Sequence, residues 1–378
     1  MKKLLIILVL VVIYNSVARA DNYNDGVKAY EKKDYATALK LWRPLAMKGD
    51  VSAQSILGVM YHDGQGVKRD YKESVKWYRK AAKQGDVYAQ STLGLMYHDG
   101  QGVKRDYKEA VKWYQKAAEQ GDVYAQFNLA LMYDNGKDGV NQDYKEAVKW
   151  YRKAAEKGDV SAQSSLGLMY HDGQGVKRDY KESVKWYRKA AKQGDVYAQS
   201  TLGLMYHDGQ GVKLDYKEAV KWYQKAAEQG DVYAQFNLAL MYDNGKDGVN
   251  QDYKEAVKYY RLAAEQGNTG AQFNLGFMYG KGQGVIQEYK ESVKWYQMAA
   301  EQGHAKAQYN LGFMYGKGQG VIRELVRAYM WLDLSASNGE KLGNKGRDLT
   351  AKEMTPVQIS RARNMAQDCK NKKYKNCY

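Results

Sequence analysis

Four histidines recur at one place in this sequence, each followed by an aspartate: His62-Asp63, His98-Asp99, His171-Asp172 and His207-Asp208. An imidazole beside a carboxylate could ligate a metal or move a proton. The other residues with ligand chemistry are Cys369 and Cys377, both near the C-terminus and with no histidine close in sequence. Spacing argues against a shared metal. The pairs sit in successive copies of one segment, and packed helices stand roughly 10 Å apart, too far for neighbouring pairs to hold one ion. A single adjacent pair is a poor ligand set. Two further copies carry Asp134-Asn135 and Asp243-Asn244, and two carry Gly280-Lys281 and Gly316-Lys317. The pairs therefore read as a polar rim at the start of a loop, where protonation at about pH 6 would tune binding. No metal and no cofactor is expected.

Other catalytic patterns are missing. There is no phosphate-binding Gly-x-x-x-x-Gly-Lys-Ser/Thr loop, and no serine sits in a glycine-flanked elbow. The glycine-rich stretch at 280–284 follows a helical pattern rather than a strand. The chain is not expected to be an enzyme.

The N-terminus reads as a secretory signal. Lys2 and Lys3 precede an apolar run from Leu4 to Tyr14, and Ala18-Arg19-Ala20 forms a small-x-small cleavage site. Residues 1–20 are taken as the leader, cut after Ala20, and the mature chain as periplasmic or secreted. No later segment is apolar enough to span a bilayer. Loss of Lys2, Lys3 and Arg19 lowers the net charge from +16 to +13. Such a charge suits anionic polymers or surfaces as well as a merely solvated lysine-rich face. In an exported chain, Cys369 and Cys377 suggest one local disulfide, with an intermolecular bond or a metal site as alternatives.

A fixed period organises the rest. The dipeptide Ala-Gln begins at 53, 89, 125, 162, 198, 234, 271 and 307, so eight units follow one another every 36 or 37 residues. Residues 51–159 and 160–268 align without gaps and differ at seven of 109 positions. A block of three units has been copied, which explains the recurrence of His-Asp without any chemistry. Each unit reads as two helices. In the second, Asp86 caps a helix over Val87–Tyr97, "HDGQGVKR" turns the chain, and Asp106 with Glu109 opens a helix over Tyr107–Gln120 closed by Gly121. Ala89, Leu93, Met96 and Tyr97 fall on one arc of the first helix, and Ala110, Trp113, Tyr114, Ala117 and Ala118 on one stripe of the second. One such hairpin cannot bury its apolar face, but stacked hairpins can.

The pattern Ala-x-x-x-Leu-Gly-x-Met-Tyr, Gly-x-Gly-Val, Asp-Tyr, Ala/Ser-x-x-Trp-Tyr, Ala-Ala, Gly resembles the Sel-one-like repeat family, relatives of the tetratricopeptide repeat. The resemblance covers residues 51–339. It implies an all-α fold, a right-handed α-solenoid of stacked antiparallel helix pairs. Residues 21–50, with "AYEKKDYATALKLW", resemble a tetratricopeptide-type capping half-repeat. Residues 340–378 are taken as a C-terminal helical cap, with Thr355 as N-cap and Pro356 in the first turn. The family's exported bacterial members imply a scaffold that binds proteins or peptides, in envelope processes or host-cell interaction. Cysteine-rich members have been linked with β-lactams, but this chain has no cysteine within its repeats.

The resemblance also implies a binding face, a concave groove lined by the first helices. Helical arithmetic sets a second stripe on each of them, away from the core arc. It comprises Tyr88, Ser91, Leu95 and His98; Tyr124, Phe127 and Leu131; Tyr197, Leu204 and His207; Tyr233, Phe236 and Leu240; Phe273 and Phe277; and Tyr309 and Phe313. All five phenylalanines of the chain lie on it. Large apolar groups facing solvent mark interfaces, whereas the same groups could fill the tight inner curve against neighbouring repeats. The expected partner is a protein or peptide, with no nucleic acid. The alternative is salt-dependent contact between anionic surfaces and the basic second helices; one unit carries Lys68, Arg69, Lys72, Lys76, Arg79 and Lys80, many of them on its second helix.

Overall fold

The computed structural model describes residues 21–137, 139–245, 248–375 and 377. The expected leader, residues 1–20, lies outside the described residues, as does part of each variant loop (Asp138; Lys246 and Asp247).

Aspartate and glycine punctuate the chain into helices of similar length. A helix over 21–31 (α1) precedes α2 (Tyr35–Met47), α3 (Val51–Asp63), α4 (Tyr71–Lys83), α5 (Val87–Asp99), α6 (Tyr107–Glu119), α7 (Val123–Asn135), α8 (Tyr144–Glu156), α9 (Val160–Asp172) and α10 (Tyr180–Lys192). Then come α11 (Val196–Asp208), α12 (Tyr216–Glu228), α13 (Val232–Asn244), α14 (Tyr253–Glu265), α15 (Thr269–Lys281), α16 (Tyr289–Ala300), α17 (Ala305–Lys317), α18 (Leu325–Ser337), α19 (Lys341–Ala351) and α20 (Pro356–Asn371). The β features among the described residues are isolated bridge residues, as between Lys137 and Val140. None of the described helices is long and apolar enough to cross a membrane. The boundaries expected for α5 and α6 are met to within two residues. Asp86 Oδ1 accepts from Ala89 N at 2.7 Å, and Gly100 closes α5 at φ +75°, a conformation that L side chains resist.

The chain divides into two compact units, one ending at Lys189 and one beginning at Ala190. Within each, consecutive helices pack as pairs. Tyr61 O accepts from Asp70 N at 2.9 Å, Gly58 O from Ser74 Oγ at 2.7 Å, and Gln54 Oε1 from Gln84 Nε2 at 2.8 Å. Numbers fall along α3 as they rise along α4, so the pair is antiparallel. Ala53, Leu57 and Met60 are buried in one cluster with Trp77, and Val75, Tyr78, Ala81 and Ala82 in the next cluster with Ala89, Leu93 and Met96. A Cβ at Gly58 would stand 2.5 Å from the Tyr78 ring, so glycine is what lets the tyrosine lie flat on α3. The same fit recurs at Gly94 with Tyr114 and at Gly203 with Tyr223.

Pairs are joined to pairs by buried polar side chains. The glutamine of Ala-Gln is buried in every unit. Gln90 donates Nε2 to Ala82 O in the preceding pair at 3.0 Å and accepts from Gln120 at 2.7 Å. In the second unit Gln199 and Gln229, Gln235 and Gln266, and Gln272 and Gln302 repeat this clasp.

The C-terminal segment continues the packing. Thr355 and Gln358 form a reciprocal capping box with Pro356 in the first turn, as expected. Cys369 and Cys377 are joined as a disulfide with Cα atoms 5.0 Å apart, the local bond among the alternatives. Both cysteines are buried with Ala366 against Tyr296, Leu311, Met330 and Trp331.

Candidate partner-binding face

The solvent-facing stripe on the first helices is built chiefly from tyrosines. Tyr88, Tyr124, Tyr197 and Tyr233 are 56, 49, 52 and 47% exposed. Each of three rests edge-on against the buried tyrosine of the preceding pair: Tyr88 on Tyr78 at 6.1 Å, Tyr124 on Tyr114 at 6.4 Å and Tyr233 on Tyr223 at 6.5 Å. Half of each ring is thus anchored and half is offered to solvent. Leu131 is exposed, while Leu95, Leu204, Leu240 and Tyr309 are partly buried.

Ser91 does not belong on this face. It is buried, and its Oγ donates to Asp122 Oδ1 of the following unit at 2.9 Å. Ser55 and Ser200 make the same bond to Asp86 and Asp231. The physical reason is that a first helix is covered by its own partner helix and by the next pair. Its buried arc is therefore wider than a single stripe.

The phenylalanines divide. Phe127, Phe236 and Phe273 are half-buried, with rings 5.8, 6.1 and 5.8 Å from Tyr151, Tyr260 and Tyr296. Phe236 also lies where a Cβ on Gly270 of the next pair would be. These three serve inter-helix packing. Phe277 and Phe313 are 41 and 47% exposed and occupy the position that Leu131 holds in α7.

The His-Asp pairs stay local. His98 Nδ1 lies 2.7 Å from Asp99 Oδ1, and its ring meets Tyr107 edge-on at 5.2 Å; His62, His171 and His207 repeat both contacts. No group of three or more His, Cys, Asp or Glu able to hold a metal occurs among the described residues. In α7 and α13 the histidine is replaced by Asp134 and Asp243, which accept from Tyr151 and Tyr260 at 3.2 and 3.0 Å. Burial raises both carboxyl pKa values, and the tyrosine bonds oppose that. The partner change follows a packing change, since Ala130 and Ala239 stand where the other units have the glycine beneath the tyrosine.

Between successive first helices the face dips into clefts. One of about 270 Å³ is lined by His98, Tyr107, Asn128, Leu131 and neighbours. At the equivalent place in α15–α17 a cleft of about 370 Å³ is lined by Phe277, Gly280, Tyr289, Asn310 and Phe313.

A repeated helix pair with this polar clasp and this glycine–tyrosine fit has a family. The Sel1 repeat model matches residues 17–50, 51–86, 87–122, 123–159, 160–195, 196–231, 232–268, 269–304 and 305–340. The chain belongs to the Sel1 repeat family. The match adds a ninth unit to the eight counted from Ala-Gln, because 17–50 contains the pair α1–α2 that reads in sequence as a half-repeat. Sel1 repeats typically build protein-interaction scaffolds. Among solved structures, a Sel1 repeat protein from Oxalobacter formigenes is 36% identical, with a TM-score of 0.64 over 81% of this chain and 88% of its own. A protective antigen of uropathogenic Escherichia coli strains, with an SLR fold, is 34% identical, with a TM-score of 0.52 over 95% and 93%. Among the curated proteins there is no match.

Proposed function

We propose that this Sel1 repeat protein is an exported, non-enzymatic scaffold that holds a protein or peptide partner against the tyrosine-bearing face of its first helices. The observation that carries the reading is the tyrosine ladder. Tyr88, Tyr124 and Tyr233 are each held by a buried ring, and these three and Tyr197 are left about half open. Anchored aromatic groups lose little entropy on binding, which is why tyrosine concentrates binding energy at interfaces. Export rests on the N-terminal segment and agrees with the disulfide; the similar E. coli protein is named as a protective antigen. A role in envelope processes or host contact follows from export.

Binding of anionic polymers by the second helices is the weaker reading. Several of their lysines are paired within the helix, as Lys76 with Glu73 and Lys149 with Glu146, or lie over indoles, as Lys80 over Trp77 at 4.1 Å. Such pairs dilute the field that a polyanion would meet.

The test uses the chain from Asp21 as bait at physiological salt, beside the double variant Tyr124→Ala/Tyr233→Ala. A protein retained by the parent and lost by the variant, with helicity unchanged, supports the scaffold. Retention of anionic polymers alone, equal in both and released by salt, removes it.

A further inference from the structure

The last two Sel1 units before the C-terminal helices differ at one cluster of positions from the six units over residues 51–268. At the rim where α3, α5, α9 and α11 end in aspartate and α7 and α13 in asparagine, α15 and α17 end in Lys281 and Lys317. The preceding residue, histidine or aspartate elsewhere, is Gly280 or Gly316. The residue four positions before that rim lysine, valine at 59 and leucine in the other earlier units, becomes Phe277 or Phe313. The loop residue that is lysine or asparagine in the earlier units becomes Ile286 or Ile322, each 90% exposed.

These changes act together on the shape and charge of the face. Without an imidazole, Gly280 lines a cleft of about 370 Å³, against about 270 Å³ where His98 is present. Gly316 lines a second cleft of about 480 Å³, walled by Leu325, Leu332 and Leu349. Phe313 lines both, so the two are adjacent and divided by one exposed ring. The rim is cationic. Neither Lys281 nor Lys317 forms an ion pair among the described residues, and Lys281 lies only near the Phe277 ring, at 5.9 Å. The one carboxylate among the lining residues, Glu353, is paired with Arg323.

We propose that these two clefts are a docking site for an extended acidic peptide that places an apolar side chain in each and carboxylates at Lys281 and Lys317. Clefts walled in part by aromatic rings and leucines beside unpaired cations fit that chemistry, and the change from aspartate or asparagine to lysine at the rim sets these two units apart from the earlier ones. The site rests on the scaffold reading and names the partner chemistry for this part of the face.

A fluorescein-labelled heptapeptide of alternating glutamate with phenylalanine and leucine is titrated by anisotropy against the full mature chain. A lysine-for-glutamate counterpart and an oligoglutamate of equal length serve as comparison. Two double variants are used, Lys281→Asp/Lys317→Asp and Phe277→Leu/Phe313→Leu. Each restores residues that earlier units carry in the same fold. The acidic apolar peptide is expected to bind the parent and to lose about tenfold or more in affinity with the lysine variant, a typical consequence of replacing attraction by like-charge contact. The phenylalanine variant weakens it as well, and the basic peptide does not bind. Equal binding of both peptides, no binding at all, or indifference to both variants overturns the proposal. So does oligoglutamate binding as tightly as the apolar peptide. If the proposal falls while a protein is still captured through Tyr124 and Tyr233, the scaffold reading stands without this site. If no protein is captured and the peptide behaves as expected, the site stands without the tyrosine ladder.

Discussion

At the scale of single residues, the two copies of the duplicated block supply a natural experiment. Position 157 is lysine in the first copy and its equivalent, position 266, is glutamine in the second. Gln266 donates to Gln235 at 2.9 Å, whereas Lys157 reaches Gly121 O and leaves the buried Gln126 Oε1 with no partner. A buried acceptor left unpaired costs about 1 to 3 kcal/mol. Lys157→Gln is therefore expected to stabilise the first unit by about 1 kcal/mol, read as a higher urea midpoint; an unchanged or lower midpoint would refute the clasp. His304 gives a pH prediction. It caps α17 by accepting from Ala307 N at Nδ1, 3.1 Å, while lying against Phe273 at 4.7 Å. Burial first, and Lys306 second, push its pKa below the ordinary value of 6.5. The unfolded chain then binds more protons in the window below that value. Its contribution is full above pH 6.5 and is lost as pH falls through 6.5 towards the folded pKa. His304→Asn, the cap used at Asn268, should flatten that part of the stability profile. A profile identical to the parent's would show that the imidazole does not carry it.

At the scale of the helix pair, much was legible because the signals are local. Asp86 and Gly100 bracket α5 by capping chemistry alone, and the heavily amphipathic second helices declare their buried stripe. What was not legible depends on the neighbouring pair. Ser91 falls on the outward stripe by helical arithmetic, yet its bond is to an aspartate 31 residues away. The glutamine clasp spans 30 residues and looks like surface polarity in sequence. Phe127 and Phe236 suit groove contact or packing by sequence alone, and only their ring contacts with Tyr151 and Tyr260 set them half inside. The glycine–tyrosine fit is testable at this scale. Gly94→Ala would bring a Cβ to 2.5 Å from Tyr114 and is expected to destabilise by about 1 to 3 kcal/mol, less the roughly 1 kcal/mol that alanine gains in a helix. In α7 the alanine occurs with Asp134, which takes the tyrosine hydroxyl. Adding His98→Asp should therefore recover part of the loss in chemical denaturation. Strict additivity of the two changes would mean that alanine and aspartate are not coupled.

At the scale of the whole molecule, stability in a repeat array is close to a sum of pair terms and neighbour terms, so removing whole repeats should leave the remainder folded. The duplication makes a clean cut possible. Deleting residues 160–268 joins Asp159 to Thr269, and Asp159 already caps α9 as Asn268 caps α15, by accepting from the backbone two positions into the helix. The surface then presented to α15 comes from α8 instead of α14. The two helices differ only by Trp150 for Tyr259 and Lys153 for Leu262, with Lys157 for Gln266 just beyond. The shortened chain is expected to keep its helicity per residue by circular dichroism. It should unfold at a lower urea midpoint with a shallower slope, because less surface is exposed on unfolding. Peptide binding at Lys281 and Lys317 should persist, since every group proposed for that site lies beyond the cut. Tyrosine-dependent capture should weaken, because Tyr197 and Tyr233 are gone while Tyr88 and Tyr124 remain. Loss of helicity would show that the repeats are not interchangeable despite their near identity. Retained helicity with lost peptide binding would place part of the acidic-peptide site in the deleted block and break its assignment to the last two units.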